Sequence, residues 1–214
     1  VIIFMSACSS SISPVDDGLD KQIFHFGNGS EPQGIAPHIV TGVPEHHLLI
    51  SLCEGLTASN PKGGKNLPGA AESWDISEDG TVYTFYLQKN GKWSNGDTLT
   101  AHDFAWSWQR LLTPSLGSQY PDMLYYVKGA SDFHNGITDN FNDVGLEVVD
   151  DYTFRVHLNN STPFFLGLLS HYSTWPVHKE TVLKHGAIDD RNGQWTRPGN
   201  FVCNGPFNLK SWEL

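Results

Sequence analysis

Between Ala71 and Leu112 the chain changes its apolar period in a readable way. Thr81–Leu87 alternates, with Tyr83, Phe85 and Leu87 on one face and Val82, Thr84 and Tyr86 on the other, which is the two-residue period of a half-buried strand. Ala71–Ile76 precedes it across Ser77-Glu78-Asp79-Gly80, a polar cluster whose glycine can take positive φ, so the pair predicts an antiparallel hairpin. A second turn follows at Ser94-Asn95-Gly96-Asp97. Beyond it the period lengthens: Phe104, Trp108, Leu111 and Leu112 fall on one helical face, Thr100 and Asp103 stand at capping positions, and Pro114 stops the helix.

The remaining segments are punctuated by the same devices. Val144–Val149 and Tyr152–Leu158 flank Asp150-Asp151, with Phe154, Val156 and Leu158 alternating against Thr153, Arg155 and His157, and predict a second hairpin. Lys21–Gly27 and Pro206–Glu213 read as strands. Pro44 suits the first helical position of Glu45–Glu54, with Gly55 just past its end. Further helices are predicted over Ser118–Val127, from Pro163, and over Glu180–His185, which Gly186 ends. Ser131–Asn142 is polar and aperiodic and predicts a surface loop. No internal repeat is evident. Strands and helices are mixed without strict βαβ alternation, so the fold class is α+β.

Charge removes one class of partner. Thirteen Lys and Arg against twenty-three Asp and Glu leave a net charge of −10 over 214 residues, so a sequence-independent grip on nucleic acid is excluded. The hydrophobic content of 39% is enough to bury a core. No stretch approaches the roughly 18 apolar residues of a membrane-spanning helix.

The order AESW at Ala71–Trp74, KWSNGD at Lys92–Asp97 and TAHDFAWSWQR at Thr100–Arg110 resembles the N-terminal lobe of the family 5 extracellular solute-binding proteins, the oligopeptide- and dipeptide-binding components of ABC importers. Gly27–Glu45, the CEGL of Cys53–Leu56, Val148–Leu158, Thr162–Val177 and Arg197–Glu213 continue the resemblance in order, so that it covers about Lys21–Leu214. It implies a periplasmic binding protein-like lobe, class II, with an inserted small α/β domain and the C-terminal lobe missing. By resemblance, residues 1–20 are a partial signal peptide, lipobox and tether, 21–53 plus 178–214 a discontinuous first lobe, and 54–177 the inserted domain. The function implied is capture of oligopeptides outside the cytoplasmic membrane and delivery to ABC permease subunits, without catalysis and without a cofactor.

The same resemblance nominates residues. Thr41, Gly42 and Val43 match a segment that pairs with the ligand main chain, and Tyr120 matches a tyrosine facing the ligand cleft; core packing is the alternative for Tyr120. The oligopeptide pattern has glutamate where this chain has Thr41, so a cationic contact does not carry over, while main-chain pairing does. Loss of that acid leaves nickel, haem, opines or oligosaccharides open as cargo on the same fold. Met5-Ser6-Ala7-Cys8 resembles a bacterial lipobox behind the apolar Val1–Phe4, and Cys8 is then the lipidated residue that anchors the protein at the membrane. Ser9–Ser13, Pro14 and Asp16-Asp17 suit a flexible tether.

Catalytic motifs are absent: there is no G-x-S-x-G, H-E-x-x-H or phosphate-binding glycine loop. His46 and His47 are neighbours on a helix and point about 100° apart, so they do not chelate a metal from one face; solvated or packed histidine is the reading. Glu72 and Asp75 read as hairpin residues rather than a glycosidase pair. Trp93, Trp106 and Trp108 raise the rival of a secreted carbohydrate-active enzyme, but Trp108 shares the apolar face of Phe104 and reads as core. With Cys8 assigned to lipid, Cys53 and Cys203 are left either as a disulfide or as buried thiols.

Overall fold

A computed structural model describes residues 13–213; the lipobox and Cys8 lie outside the described residues. The chain divides into two compact units, one up to Glu31 and the other from Pro32.

The first unit holds helix α1, Pro14–Lys21. Pro14 stands in its first turn, the Ser13 hydroxyl accepts the Asp16 N–H at 3.1 Å, and left-handed Gln22 closes the other end on the Gly18 and Leu19 carbonyls. The second half of the expected tether is therefore helical, because a serine cap and an N-terminal proline satisfy and pre-set a helix start. The strand expected over Lys21–Gly27 does not form. Residues 23–28 are irregular, and Ile23, Phe24 and Phe26 are exposed. Alternation gives a segment strand propensity, but a strand exists only by pairing, and neither sheet includes this one.

The second unit begins with α2, Val43–Leu52, followed by the two-stranded β1 (Thr57–Ala58) and β2 (Leu67–Pro68). Then come β3 (Ala71–Ile76), β4 (Val82–Leu87), α3 (Ala101–Leu112), α4 (Ala130–His134), β5 (Leu146–Asp150) and β6 (Thr153–His157). The short helices α5 (Phe165–Leu168) and α6 (Lys179–Lys184) complete the regular elements. Strands β3 to β6 form one antiparallel sheet in the order β3-β4-β6-β5. Both predicted hairpins are present, and Gly80 takes the positive φ, 70°, that its turn requires. Tyr83, Phe85 and Leu87 point inward with Phe154 and Val156, against the Phe104, Trp108 and Leu111 face of α3. Phe154 meets Phe104 and Trp108 at ring separations of 6.2 and 5.3 Å, and the Trp108 indole N–H reaches the Thr174 carbonyl at 2.8 Å. The Asp103 carboxylate accepts the Thr100 N–H at 2.7 Å, which caps α3 as its sequence predicts.

Other boundaries move. Helix α2 starts and stops two residues earlier than the pattern implies, and Gly55 is not its cap. Its last carbonyl, of Leu52, accepts the Gly205 N–H at 2.9 Å, so a distant loop ends the helix. Cys53, just past that end, forms a disulfide with Cys203 across 150 residues, with Cα atoms 5.3 Å apart. Of the helix expected over Ser118–Val127 only a 3₁₀ turn, Pro121–Leu124, is present; Pro121 supplies no N–H and disfavours helical backbone at Tyr120. The supposed loop Ser131–Asn142 instead contains most of α4 and a 3₁₀ turn at Phe141–Asp143, held down by buried Phe133 against Phe141. The helix from Pro163 is the single turn α5. Pro206–Glu213 is irregular and borders neither sheet, while Leu209 and Trp212 lean on a second, smaller core.

Candidate functional site

That smaller core comprises Ile35, Leu49, Leu52, Cys53, Tyr172, Trp175 and Cys203, with Val40 and Tyr120 packed against it. It carries the turn Thr41–Val43. Thr41 and Val43 are exposed, Val43 by 66%, and the turn enters α2, with Val43 as the first helical residue. Gly42 is extended, with φ −85° and ψ 157°. Among the described residues, the N–H groups of Thr41 and Gly42 donate to no partner. A helix start leaves such donors free unless a side chain takes them, and here Glu45, the third helical residue, accepts from Gln33 instead. The Glu45 carboxylate folds back beneath Gly42 and accepts the Gln33 N–H at 2.7 Å. A Cβ on Gly42 would collide with that carboxylate, so a larger residue there would force Glu45 to move, while φ makes no such demand. The second Glu45 oxygen is buried with no hydrogen-bond partner among the described residues.

The loop behind the turn is fixed by a buried relay. Arg110, fully buried on α3, donates from Nη1 to His38 Nδ1 at 2.9 Å, and His38 Nε2 lies 3.3 Å from the Trp175 carbonyl. Arginine can only donate, so the imidazole is neutral with its proton on Nε2. Burial first, and then the Arg110 charge, lower the His38 pKa to about 3 against the opposing pull of the Trp175 carbonyl. Arg110 itself is lowered to about 10 by burial, opposed by Asp190 and Asp189. Its guanidinium lies 5.6 Å from the Trp195 ring, and Nη2 reaches the Asp190 carbonyl at 3.4 Å. The His38 carbonyl accepts the Gln119 N–H at 3.3 Å, which ties the segment bearing Tyr120 to the loop bearing Thr41.

Tyr172 makes the second tie. Its hydroxyl donates to the Val40 carbonyl at 3.1 Å, one residue before Thr41. Around it stand His46 at 5.7 Å, His171 at 4.2 Å and Tyr120 at 6.3 Å, with Tyr120 edge-on to His171 at 5.1 Å. Burial, then Tyr120 and Glu45, push the Tyr172 phenol well above the tyrosine range. The four positions named from the sequence are thus brought to one surface: exposed Thr41 and Val43, with half-buried Gly42 between them, form its edge, and Tyr120 belongs to the half-buried aromatic wall beside it. Sequence reasoning missed Tyr172, His171 and His46 as parts of this wall. Their only signal was the aromatic and histidine content of His171-Tyr172 and of His46-His47, which periodicity does not interpret.

The rival constellations disperse. Among the described residues no group of three His, Cys, Asp or Glu is placed to hold a metal. Trp108 is fully buried, Trp93 is 2% exposed, and only Trp106 remains of the supposed sugar platform. Trp106 does line an open cavity of about 900 Å³, together with Asp97, Asp103, His178 and Glu180. None of Thr41, Gly42, Val43 or Tyr120 belongs to that cavity. Glu72 and Asp75 both lie in β3, and Asp75 accepts the Tyr86 hydroxyl at 2.8 Å.

The model of the bacterial extracellular solute-binding proteins, family 5 Middle, matches residues 66–214. The periplasmic oligopeptide-binding protein OppA of Salmonella typhimurium is 41% identical over 216 residues, covering 100% of this chain and 38% of its own length. Among solved structures, Haemophilus influenzae OppA in complex with the peptide RPPGFSPFR superposes with a TM-score of 0.76 at 41% identity, over 83% of this chain and 34% of that one. A periplasmic oligopeptide-binding protein from Borrelia burgdorferi gives a TM-score of 0.80 at 34% identity, over 87% and 36%. The chain thus spans little more than a third of the length of these relatives.

Proposed function

This chain belongs to the bacterial extracellular solute-binding proteins of family 5, and from that premise we propose that it is the peptide-gripping edge of an importer's receptor. It captures extended oligopeptides outside the cytoplasmic membrane and passes them to an ABC permease, with no covalent step. The observation that carries the proposal is the pair of unbonded N–H groups at exposed Thr41 and half-buried, extended Gly42. An extended ligand laid alongside gains main-chain hydrogen bonds there without reference to its side chains, and the adjoining aromatic wall offers apolar area plus a few polar tips. The Salmonella typhimurium relative, named for oligopeptide binding, and the Haemophilus influenzae structure, which holds the peptide RPPGFSPFR, support the same cargo. We assign the first lobe to 21–53 with 178–214 and the inserted domain to 54–177. Cys8 is assigned as a lipid anchor.

Calorimetry of the intact protein with tri- to pentapeptides tests this. Saturable binding is expected, with Thr41→Ala changing affinity by no more than about twofold, because the backbone and not the side chain makes the contact. Replacing the facing ligand amide by an alkene isostere, which removes the carbonyl acceptor, is expected to weaken binding about three- to tenfold, the worth of one hydrogen bond. Saturable uptake of nickel, haem, an opine or an oligosaccharide with no peptide binding overturns the proposal.

A further inference from the structure

The aromatic wall has a chemistry of its own, and its interpretation rests on the peptide-capture proposal. His171 is tautomerically fixed. Its Nδ1 accepts the Ser173 N–H at 3.3 Å and lies 2.8 Å from the Ser173 hydroxyl, so the ring proton sits on Nε2. Protonating Nδ1 would forfeit the cap of the Tyr172–Thr174 turn, which makes His171 a standing neutral donor. His46 has no such commitment. It lies in the first turn of α2, half-buried, with its ring against Tyr172 and its backbone N–H on the Gly42 carbonyl at 3.1 Å.

The charged and titratable groups facing the pair are few. Helix α2 contributes Glu45 and His47, the Pro121–Leu124 turn contributes Asp122, and Tyr120 and Tyr172 supply phenols. Glu45 is buried and turned toward Gln33, and the turn itself offers the uncharged Thr41. We propose that His46 and His171 form a paired imidazole wall that selects peptides presenting a carboxylate beside the Thr41–Val43 turn, His171 donating from Nε2 and His46 taking up the balancing proton.

The electrostatics agree with the geometry. Burial, and then His47, hold the His46 pKa below the histidine range; burial, and then His46, do the same for His171, opposed by Asp122. The empty wall is therefore uncharged near neutrality. A ligand carboxylate within a few ångströms favours the imidazolium instead, so its binding draws in a proton and tightens as pH falls. A neutral ligand of the same shape gains nothing from acid.

The test is calorimetry of the intact protein with tetrapeptides carrying a single Glu, scanned through each position, against the matching Gln peptides, each with free or amidated C-terminus, at about pH 5.5 and about pH 7.5. At least one carboxylate register is expected to bind about tenfold more tightly at the lower pH, with proton uptake read from buffers of different ionisation enthalpy. The amidated peptide that lacks any carboxylate is expected to change by less than about twofold. Loss of the acid response on amidation alone identifies the terminal carboxylate as the source, and loss on Glu→Gln in the ligand identifies the side chain. His46→Gln is expected to abolish proton uptake and to bring the ratio of carboxylate-peptide affinities at the two pH values to about one, and His171→Asn, which can keep the turn cap, to remove the carboxylate preference at both pH values. Peptides bound without carboxylate preference, or a pH response that survives His46→Gln, overturn this inference alone. No binding of any peptide at either pH overturns the capture proposal together with it.

Discussion

The sheet half of the second unit and the smaller core under the Thr41–Val43 turn are stabilised by opposite means. Around β3 to β6 and α3 the interior is aromatic and aliphatic, built from residues whose periodicity already sorts them inward, and its hairpins are local. The smaller core has few apolar residues and is held by long-range clips: the Cys53–Cys203 disulfide, the Glu54–Asn204 bonds in both directions at 3.0 and 2.9 Å, Tyr172 to Val40, and Arg110 through His38 to Trp175. Burying apolar area is non-directional and tolerant, whereas hydrogen bonds and a disulfide fix distance and direction. On the peptide-capture proposal, a surface that presents two backbone donors in a set orientation is better served by the second.

The sharpest way to break this contrast is in the sheet. Phe154→Ala removes a fully buried ring between Phe104 and Trp108 and is expected to cost about 3–5 kcal/mol, measured by urea unfolding, with loss of the whole unit rather than of the turn alone. Next comes the clip: Cys53→Ala with Cys203→Ala opens a 150-residue link and is expected to cost about 2–4 kcal/mol. The five hydrogen bonds that join 52–54 and Ser94 to 203–205 remain in that variant, so the geometry at the turn, read by peptide affinity, is expected to change less than the melting temperature does. Equal losses in both would show that the disulfide positions the loop and does not merely restrict the unfolded chain.

The relay gives a pH signature of its own, below neutrality. His38 is depressed to about 3 when folded and is near 6.5 when unfolded, so the unfolded chain binds the extra proton between these values. Its contribution is complete above about pH 6.5 and is lost progressively as pH falls toward 3, with a slope of up to about 1.4 kcal/mol per pH unit. Urea unfolding across that window is expected to show a shallower slope in His38→Asn. The smallest effect is at the cap of α3: Asp103→Ala gives up the acceptor for the Thr100 N–H and is expected to cost about 1 kcal/mol, leaving the turn and its ligand affinity unchanged.

How far the sequence carried depended on the range of the interaction concerned. Alternation at Tyr83, Phe85 and Leu87, the glycine at 80, the Thr100 and Asp103 cap and the Phe104–Leu111 stripe are statements about neighbours in the chain, and each is realised because steric and periodic constraints act locally. Lys21–Gly27 and Pro206–Glu213 carry strand composition but form no strand, since a strand needs a partner that its own residues do not name. The candidate turn was legible only through resemblance. Nothing in HIVTGV declares that Glu45 would fold under Gly42 and leave two donors free.

By itself, then, the order of residues determined the two hairpins, the capped helix, the apolar faces that join them, and membership of a family of solute-binding proteins. Tertiary structure alone decided that Cys53 finds Cys203, that Leu52 ends its helix on Gly205, and that His46, Tyr120 and His171 gather around Tyr172. The physical reason is that local preferences are set by each residue's own backbone and its near neighbours. Contacts across 70 to 150 positions exist only after the sheet has packed and brought their donors and acceptors within about 3 Å of each other.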